Sequence, residues 1–158
     1  MSQTGAGLRV NLLVRAASAG GAALAFVAAG CGGGGPLSKS KFDTKANAIC
    51  AKYARKINAV PAPRKIDDVP AYVELVKPYL ERGVDELAVL KPPAELQDTY
   101  NRWMSTQREA LTETDELRHA AQGNDVAAVN HMIRALGDRN RRGNALAAKL
   151  GADVCARD

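Results

Sequence analysis

The chain has 158 residues, 22 of them Lys or Arg and 17 Asp or Glu, for a formal charge of +5. That length suits a single domain. The basic surplus is too small to argue for a nucleic-acid partner, and the absence of any Cys-x-x-Cys-His run excludes covalent haem.

The first thirty residues hold no Asp or Glu, carry Arg9 and Arg15, and then run from Ala16 to Gly30 as an Ala-rich, weakly apolar stretch. This is the order of a signal peptide, and the stretch is too short to span a bilayer. Removing residues 1–30 takes away two arginines and no acid, leaving 20 basic against 17 acidic residues, or +3. The segment Ala28-Ala29-Gly30-Cys31 resembles the lipobox of bacterial lipoproteins, in which small residues precede a cysteine that is lipidated and becomes the new N-terminus. That resemblance implies a signal over 1–30 and a lipid anchor on Cys31. The family prefers Leu where Ala28 stands. An ordinary secretory cut after Val27-Ala28-Ala29, with Cys31 a leftover thiol, is the other reading. In both the domain is exported. Gly32 to Gly35 and Pro36 to Lys41 then read as a flexible tether over residues 31–41.

From residue 42 the apolar spacing turns helical. Phe42, Ala46, Ile49, Tyr53, Ile57 and Val60 recur at steps of three and four, with Asp43 as N-cap, until Pro61 ends the run. Pro61 to Pro70 reads as a loop, kept extended by Pro63. Val69, Val73, Val76, Leu80, Gly83, Leu87 and Leu90 form the seam of a second helix, and Pro78 within it predicts a kink rather than a break. After a stiff Lys91-Pro92-Pro93 corner, Leu96, Tyr100, Trp103, Gln107, Ala110, Thr114, Leu117 and Ala121 repeat the seam in a third helix. Gly123 closes it as the C′ residue. Asp125 is placed to cap a fourth helix through Val126, Val129, Ile133, Leu136, Asn140, Gly143, Ala147 and Leu150, with Gly151 as its stop. No useful period-two alternation occurs, so no sheet is expected. Short connections between four helical patterns predict an all-α domain over 42–158, an antiparallel up-down-up-down four-helix bundle.

Three cysteines are present. With Cys31 acylated, Cys50 and Cys155 form an even pair in an oxidising compartment, and a disulfide is the natural inference. The predicted topology supports it, because the start of the first helix and the end of the fourth lie at one pole. Such a bridge would close a loop of about a hundred residues, worth roughly 4 to 5 kcal/mol in the chain-entropy model.

Candidate chemistry is sparse. His119 and His131 flank the Gly123 turn without a third ligand at metal spacing, so they read as surface residues. Glu109, Glu113 and Glu116 form a ridge that reads as an exposed face partnered by Arg108 and Arg118. Arg134, Arg139, Arg141, Arg142 and Lys149 give the fourth helix a basic outer face, either solubilising or attracted to anionic headgroups. On the seam, Gln107, Thr114, Asn140 and Gly143 replace large apolar residues near Tyr100 and Trp103. These could line a small-ligand pocket between helices, formed by Tyr100, Trp103, Gln107, Asn140 and Gly143. Alternatively Gly143 permits close helix approach and the polar side chains pair to set register.

The Asn47 to Cys50 stretch, the Leu90 to Pro93 corner and the Leu150 to Cys155 ending follow a glycine-rich segment after the lipobox. Together they resemble the small uncharacterised lipoproteins of high-GC actinobacteria. The resemblance covers most of the chain and carries no activity to transfer. The expectation is a monomeric, non-catalytic interaction module at the cell envelope, lipid-anchored in the cell membrane and facing outside the cytoplasm, with an envelope protein as partner. The alternative is a small-ligand or metal-binding bundle. No nucleophile with its base stands out, so an enzyme is not expected, and no cofactor or bound metal is implied.

Overall fold

The computed structural model describes residues 35–157. The signal assigned to 1–30 and the lipidation assigned to Cys31 lie outside the described residues. Among these the chain is all-helical: α1 (Lys39–Asn58), α2 (Val69–Ala88), α3 (Gln97–Gln122) and α4 (Val126–Leu150), with short 3-10 turns at Ile66–Asp68 and Ala94–Leu96.

Local chemistry sets the ends of these helices. The backbone of α1 becomes helical three residues before the first apolar seam position because Ser38, not Asp43, is its N-cap. The Ser38 hydroxyl accepts from the Lys41 amide at 3.4 Å. Asp43 sits a turn inside the helix and pairs with Lys39 at 2.8 Å. Fixed contacts are found before α1 as well, since the Leu37 amide donates to the Lys91 carbonyl at 2.8 Å. The expected tether therefore ends before Leu37, not at Lys41. Pro70 occupies the first turn of α2, where its missing N–H costs nothing. That helix runs on across Pro78 to Ala88.

Between α3 and α4 the left-handed residue is Asn124, at φ 52°, while Gly123 keeps φ −80°. Asparagine tolerates this conformation through its short polar side chain, so the glycine beside it is not needed for it. Asp125 caps α4 by accepting from the Ala128 amide at 2.9 Å. Gly151 ends α4 at φ 79°, and a β-carbon there would stand 2.8 Å from the Asp43 carboxylate. Here both backbone conformation and space demand glycine.

Two apolar clusters hold the helices. One joins Phe42 and Ala46 of α1, Val84 and Leu87 of α2, Tyr100, Trp103 and Met104 of α3, Ala147 and Leu150 of α4, and Ala152 beyond it. The other joins Val69 and Val73 to Ala121 and Val129, with Ile66 of the 3-10 turn against it. No α1 residue belongs to the second. At 1.5 Å per residue the 26-residue α3 is about 39 Å long and the 20-residue α1 about 30 Å. The α3–α4 pair thus overhangs α1, and Ile66 covers part of the exposed end. Each fully buried Phe42, Trp103 or Leu150 side chain contributes on the order of 1.5 to 3 kcal/mol.

The tail after α4 is fastened to α1. Cys50 and Cys155 are bridged, 105 residues apart in sequence with their Cα atoms 5.2 Å apart. Beside the bridge, the Asn47 amide donates to the Gly151 carbonyl at 3.1 Å and accepts from the Val154 amide at 2.7 Å. One side chain thereby satisfies an orphan carbonyl at the end of α4 and a donor in the tail. Replacing both Cys50 and Cys155 by Ser should lower the unfolding free energy by about 4 kcal/mol. Urea unfolding checks this, and an unchanged midpoint would mean that the tail contributes nothing to stability.

Candidate functional site

The seam residues nominated as a pocket divide into groups. Tyr100 and Trp103 belong to the packed core, 6% and 2% exposed. Phe42 meets Tyr100 edge to face at 5.9 Å between centroids, and Tyr100 meets Trp103 at 6.4 Å. The Tyr100 hydroxyl donates to the Leu87 carbonyl at 2.6 Å, satisfying an orphan acceptor at the end of α2. Burial raises the Tyr100 phenol above its ordinary range, which keeps it a donor.

Gln107 and Gly143 are brought together. A β-carbon at Gly143 would stand 3.1 Å from Gln107 Nε2 and 3.6 Å from Thr106 Cγ2, so the space left by the glycine holds the glutamine amide. Asn140 is exposed. The inward position is taken by its neighbour Arg139, whose guanidinium bonds Glu113 through Nε at 2.8 Å, Glu113 again through Nη2, and Glu109 through Nη1.

Of the acidic ridge, Glu109 and Glu116 are exposed as its spacing suggests, but the cation that pairs with it is Arg139 of α4 rather than Arg108 or Arg118. Its middle member Glu113 is covered and paired across the helix interface, and Arg139 is withdrawn from the basic outer face of α4. Hydrogen bonding to Arg139 holds the Glu113 carboxyl below its ordinary range, and the same bonds raise Arg139. The trio is an inter-helix ion cluster joining α3 to α4.

A second polar bridge spans α2 and α3. Lys77 pairs with Asp115 at 2.7 Å and Glu81 at 3.4 Å, and Arg118 lies 3.9 Å from Asp115. These residues, with Val73, Glu74 and Pro78, line a shallow groove of about 240 Å³. His119 and His131 are both exposed. Among the described residues no group of three His, Cys, Asp or Glu side chains is placed to hold a metal.

The larger recess, about 430 Å³, lies where α2 turns into α3. It is lined by Leu90, Lys91 and Pro92 at the corner and by Gln97, Tyr100, Asn101, Met104 and Arg108 along α3, together with Ala88. Its volume falls within the roughly 300 to 1,000 Å³ of small-molecule sites. Of the nominated residues only Tyr100 reaches it, and Trp103 does not. The Gln97 amide donates to Asn101 at 2.9 Å, and Arg108 forms no ion pair among the described residues. The chemistry on offer is two basic residues, Lys91 and Arg108, two amides and a short apolar wall from Tyr100 and Met104, which suits a small anion bearing some apolar body. Sequence reasoning missed this place. The signal was the Lys91-Pro92 corner, which leaves the first turns of α3 partly uncovered, with Arg108 two turns beyond Asn101 on that side.

No protein-family model, no curated protein and no solved structure matches the chain.

If the space beside Gly143 is filled by Gln107, Gly143→Leu should overpack the α3–α4 contact and cost about 1 to 3 kcal/mol. Thermal melting several degrees below the parent protein is the expected result. An unchanged melting temperature would show instead that a cavity lies there.

Proposed function

We propose that this chain is an exported, lipid-anchored and non-catalytic binding module of the bacterial envelope. The observation that carries the reading is the Cys50–Cys155 bridge. Disulfides of this structural kind form and persist where the environment is oxidising and are rare in the cytosol. Pairing these two also leaves Cys31 as the odd cysteine, at the end of a leader-like stretch and followed by glycines. The similarity to actinobacterial lipoproteins agrees with the same placement.

The proposed architecture is an antiparallel up-down-up-down bundle, and the order of inter-helix partners supports it. From α1 to α2, Lys52 meets Glu86 while Lys56 lies over Tyr79. From α2 to α3, Lys77 meets Asp115 and Leu87 meets Tyr100. From α3 to α4, Gln107 approaches Gly143 while Glu113 meets Arg139. In each pair of helices the residue numbers rise on one and fall on the other.

Cell fractionation of the host carrying Cys31→Ser tests the anchoring. The parent protein is expected in the membrane fraction and the variant in the soluble exported fraction. A parent protein that is cleaved but carries no lipid on Cys31, or a variant that is cleaved and still held in the membrane like the parent, would overturn the lipobox assignment.

Small-ligand binding is a second reading, favoured by the recess at the α2–α3 corner and by Arg108 within it. Native mass spectrometry of protein purified from its own host should then show a retained small anion that Arg108→Ala loses. An identical mass pattern in both proteins would remove this reading.

A further inference from the structure

The charge of the chain is unevenly placed. Lys39, Lys41, Lys45, Lys52, Arg55 and Lys56 all lie on α1, against the single acid Asp43. Elsewhere after Cys31 acids outnumber bases, so the whole positive surplus of the mature chain resides on this helix. Five of the six share one side. Lys41, Lys45, Lys52, Arg55 and Lys56 are separated by steps of four, seven, three and one, which at 3.6 residues per turn confines them to a strip about 100° wide. Asp43 falls opposite the strip, where it pairs with Lys39 and faces Gly151.

The strip differs from the basic side chains of α4. There Arg139 is turned inward to Glu109 and Glu113, and Arg141 is paired with Asp138. On α1, Lys41, Lys45 and Arg55 are exposed and form no ion pair among the described residues. Lys52 is paired with Glu86, and Lys56 lies 5.6 Å from the Tyr53 ring centroid and 5.4 Å from that of Tyr79. These contacts hold the C-terminal part of the strip flat against the α1–α2 surface.

Position in the chain gives this strip a partner. Only seven residues separate Cys31 from Lys39, and an extended chain covers at most about 3.6 Å per residue. From Cys31 to Lys39 is eight steps, so the start of α1 can stand no more than about 29 Å from an anchored Cys31. Screening confines electrostatic attraction to within roughly 8 to 10 Å of a charged surface at physiological salt. A helix free in solution would gain little from that field. One held so close meets it at high effective concentration.

We infer that α1 lies against the membrane and docks its Lys41–Lys45–Arg55 strip on anionic phospholipid headgroups, with the recess at the α2–α3 corner and the basic side of α4 left to other partners. This rests on the lipid anchoring proposed above for its biological setting, but the contact itself can be measured without the lipid.

The test uses the exported Cys31→Ser chain with vesicles of phosphatidylcholine alone or mixed with phosphatidylglycerol, in a sedimentation assay. Binding to the mixed vesicles and not to the neutral ones is expected, weakening as salt is added. Lys41→Gln, Lys45→Gln and Arg55→Gln together should weaken it on the order of a hundredfold, since each basic residue near such a surface is worth about 1 kcal/mol, or roughly fivefold. The matched variant Arg134→Gln, Arg141→Gln and Lys149→Gln removes the same charge from α4 and should retain most of the binding. Circular dichroism and an intact Cys50–Cys155 bridge confirm folding in both. Equal loss in the two variants would reduce the effect to net charge and overturn the proposal. So would absence of binding to the mixed vesicles, or binding to a soluble polyanion or an acidic protein without binding to the vesicles. Failure of Cys31 lipidation is seen separately by fractionation and leaves this assay unaffected.

Discussion

The bridge between Cys50 and Cys155 is the constraint on which the arrangement of α1 depends. α2, α3 and α4 follow one another through short connections and bury an apolar seam along their length. Helix α1 is shorter than α3 and α4 and takes no part in the second apolar cluster. What ties it to the far end of the chain is the tail beyond Gly151, through the disulfide, through Asn47 and through the burial of Ala152 beside Phe42 and Ala46. A loop of this length makes the bridge effective chiefly by restricting the unfolded chain. The Asn47 bonds then determine where the tail lies once it is closed.

The middle of the bundle follows a different rule. Between the two apolar clusters the inter-helix contacts are polar: Lys77 with Asp115, Arg139 with Glu109 and Glu113, Gln107 beside Gly143. Pairs that are partly open to solvent add little net stability. They discriminate strongly against alternatives, because a slip of one helix by a turn would leave a partly covered carboxylate without its cation. The apolar ends supply cohesion, and the polar belt selects a single register.

That belt also marks where the sequence was legible and where it was not. All four helices follow from the three- and four-residue spacing, and the stops at Gly151 and the cap at Asp125 follow from residue chemistry. The phase of α4 does not. Leu136 and Gly143 are seven residues apart, and either Arg139 or Asn140 can stand between them on the seam. Polarity alone favours burying the uncharged Asn140. The partner decides otherwise, since Glu109 and Glu113 on α3 lie where Arg139 can reach both. Such a choice belongs to the pair of helices and cannot be read from one. The same holds for Asp43, which has the chemistry of a cap but lies a turn too late once Ser38 and the Leu37–Lys91 bond have started the helix. A related effect acts at Gly143, within the pocket assigned around Trp103. Small and polar seam residues imply a void only if their neighbours are short, and Gln107 is long enough to occupy the space that Gly143 leaves.

A division of labour among the charges follows from these two kinds of constraint. Cations on the inward flanks of α2 and α4 are committed to carboxylates on α3, which lies between them. Helix α1 packs on α2 and is closed by the tail. Lys52 and Lys56 meet α2 through Glu86 and Tyr79, whereas Lys41, Lys45 and Arg55 form no ion pair among the described residues. Five like charges along one side of a helix repel one another, and a fold gains nothing internally from gathering them. Their concentration on one helix is intelligible if the opposing charge is supplied from outside the chain.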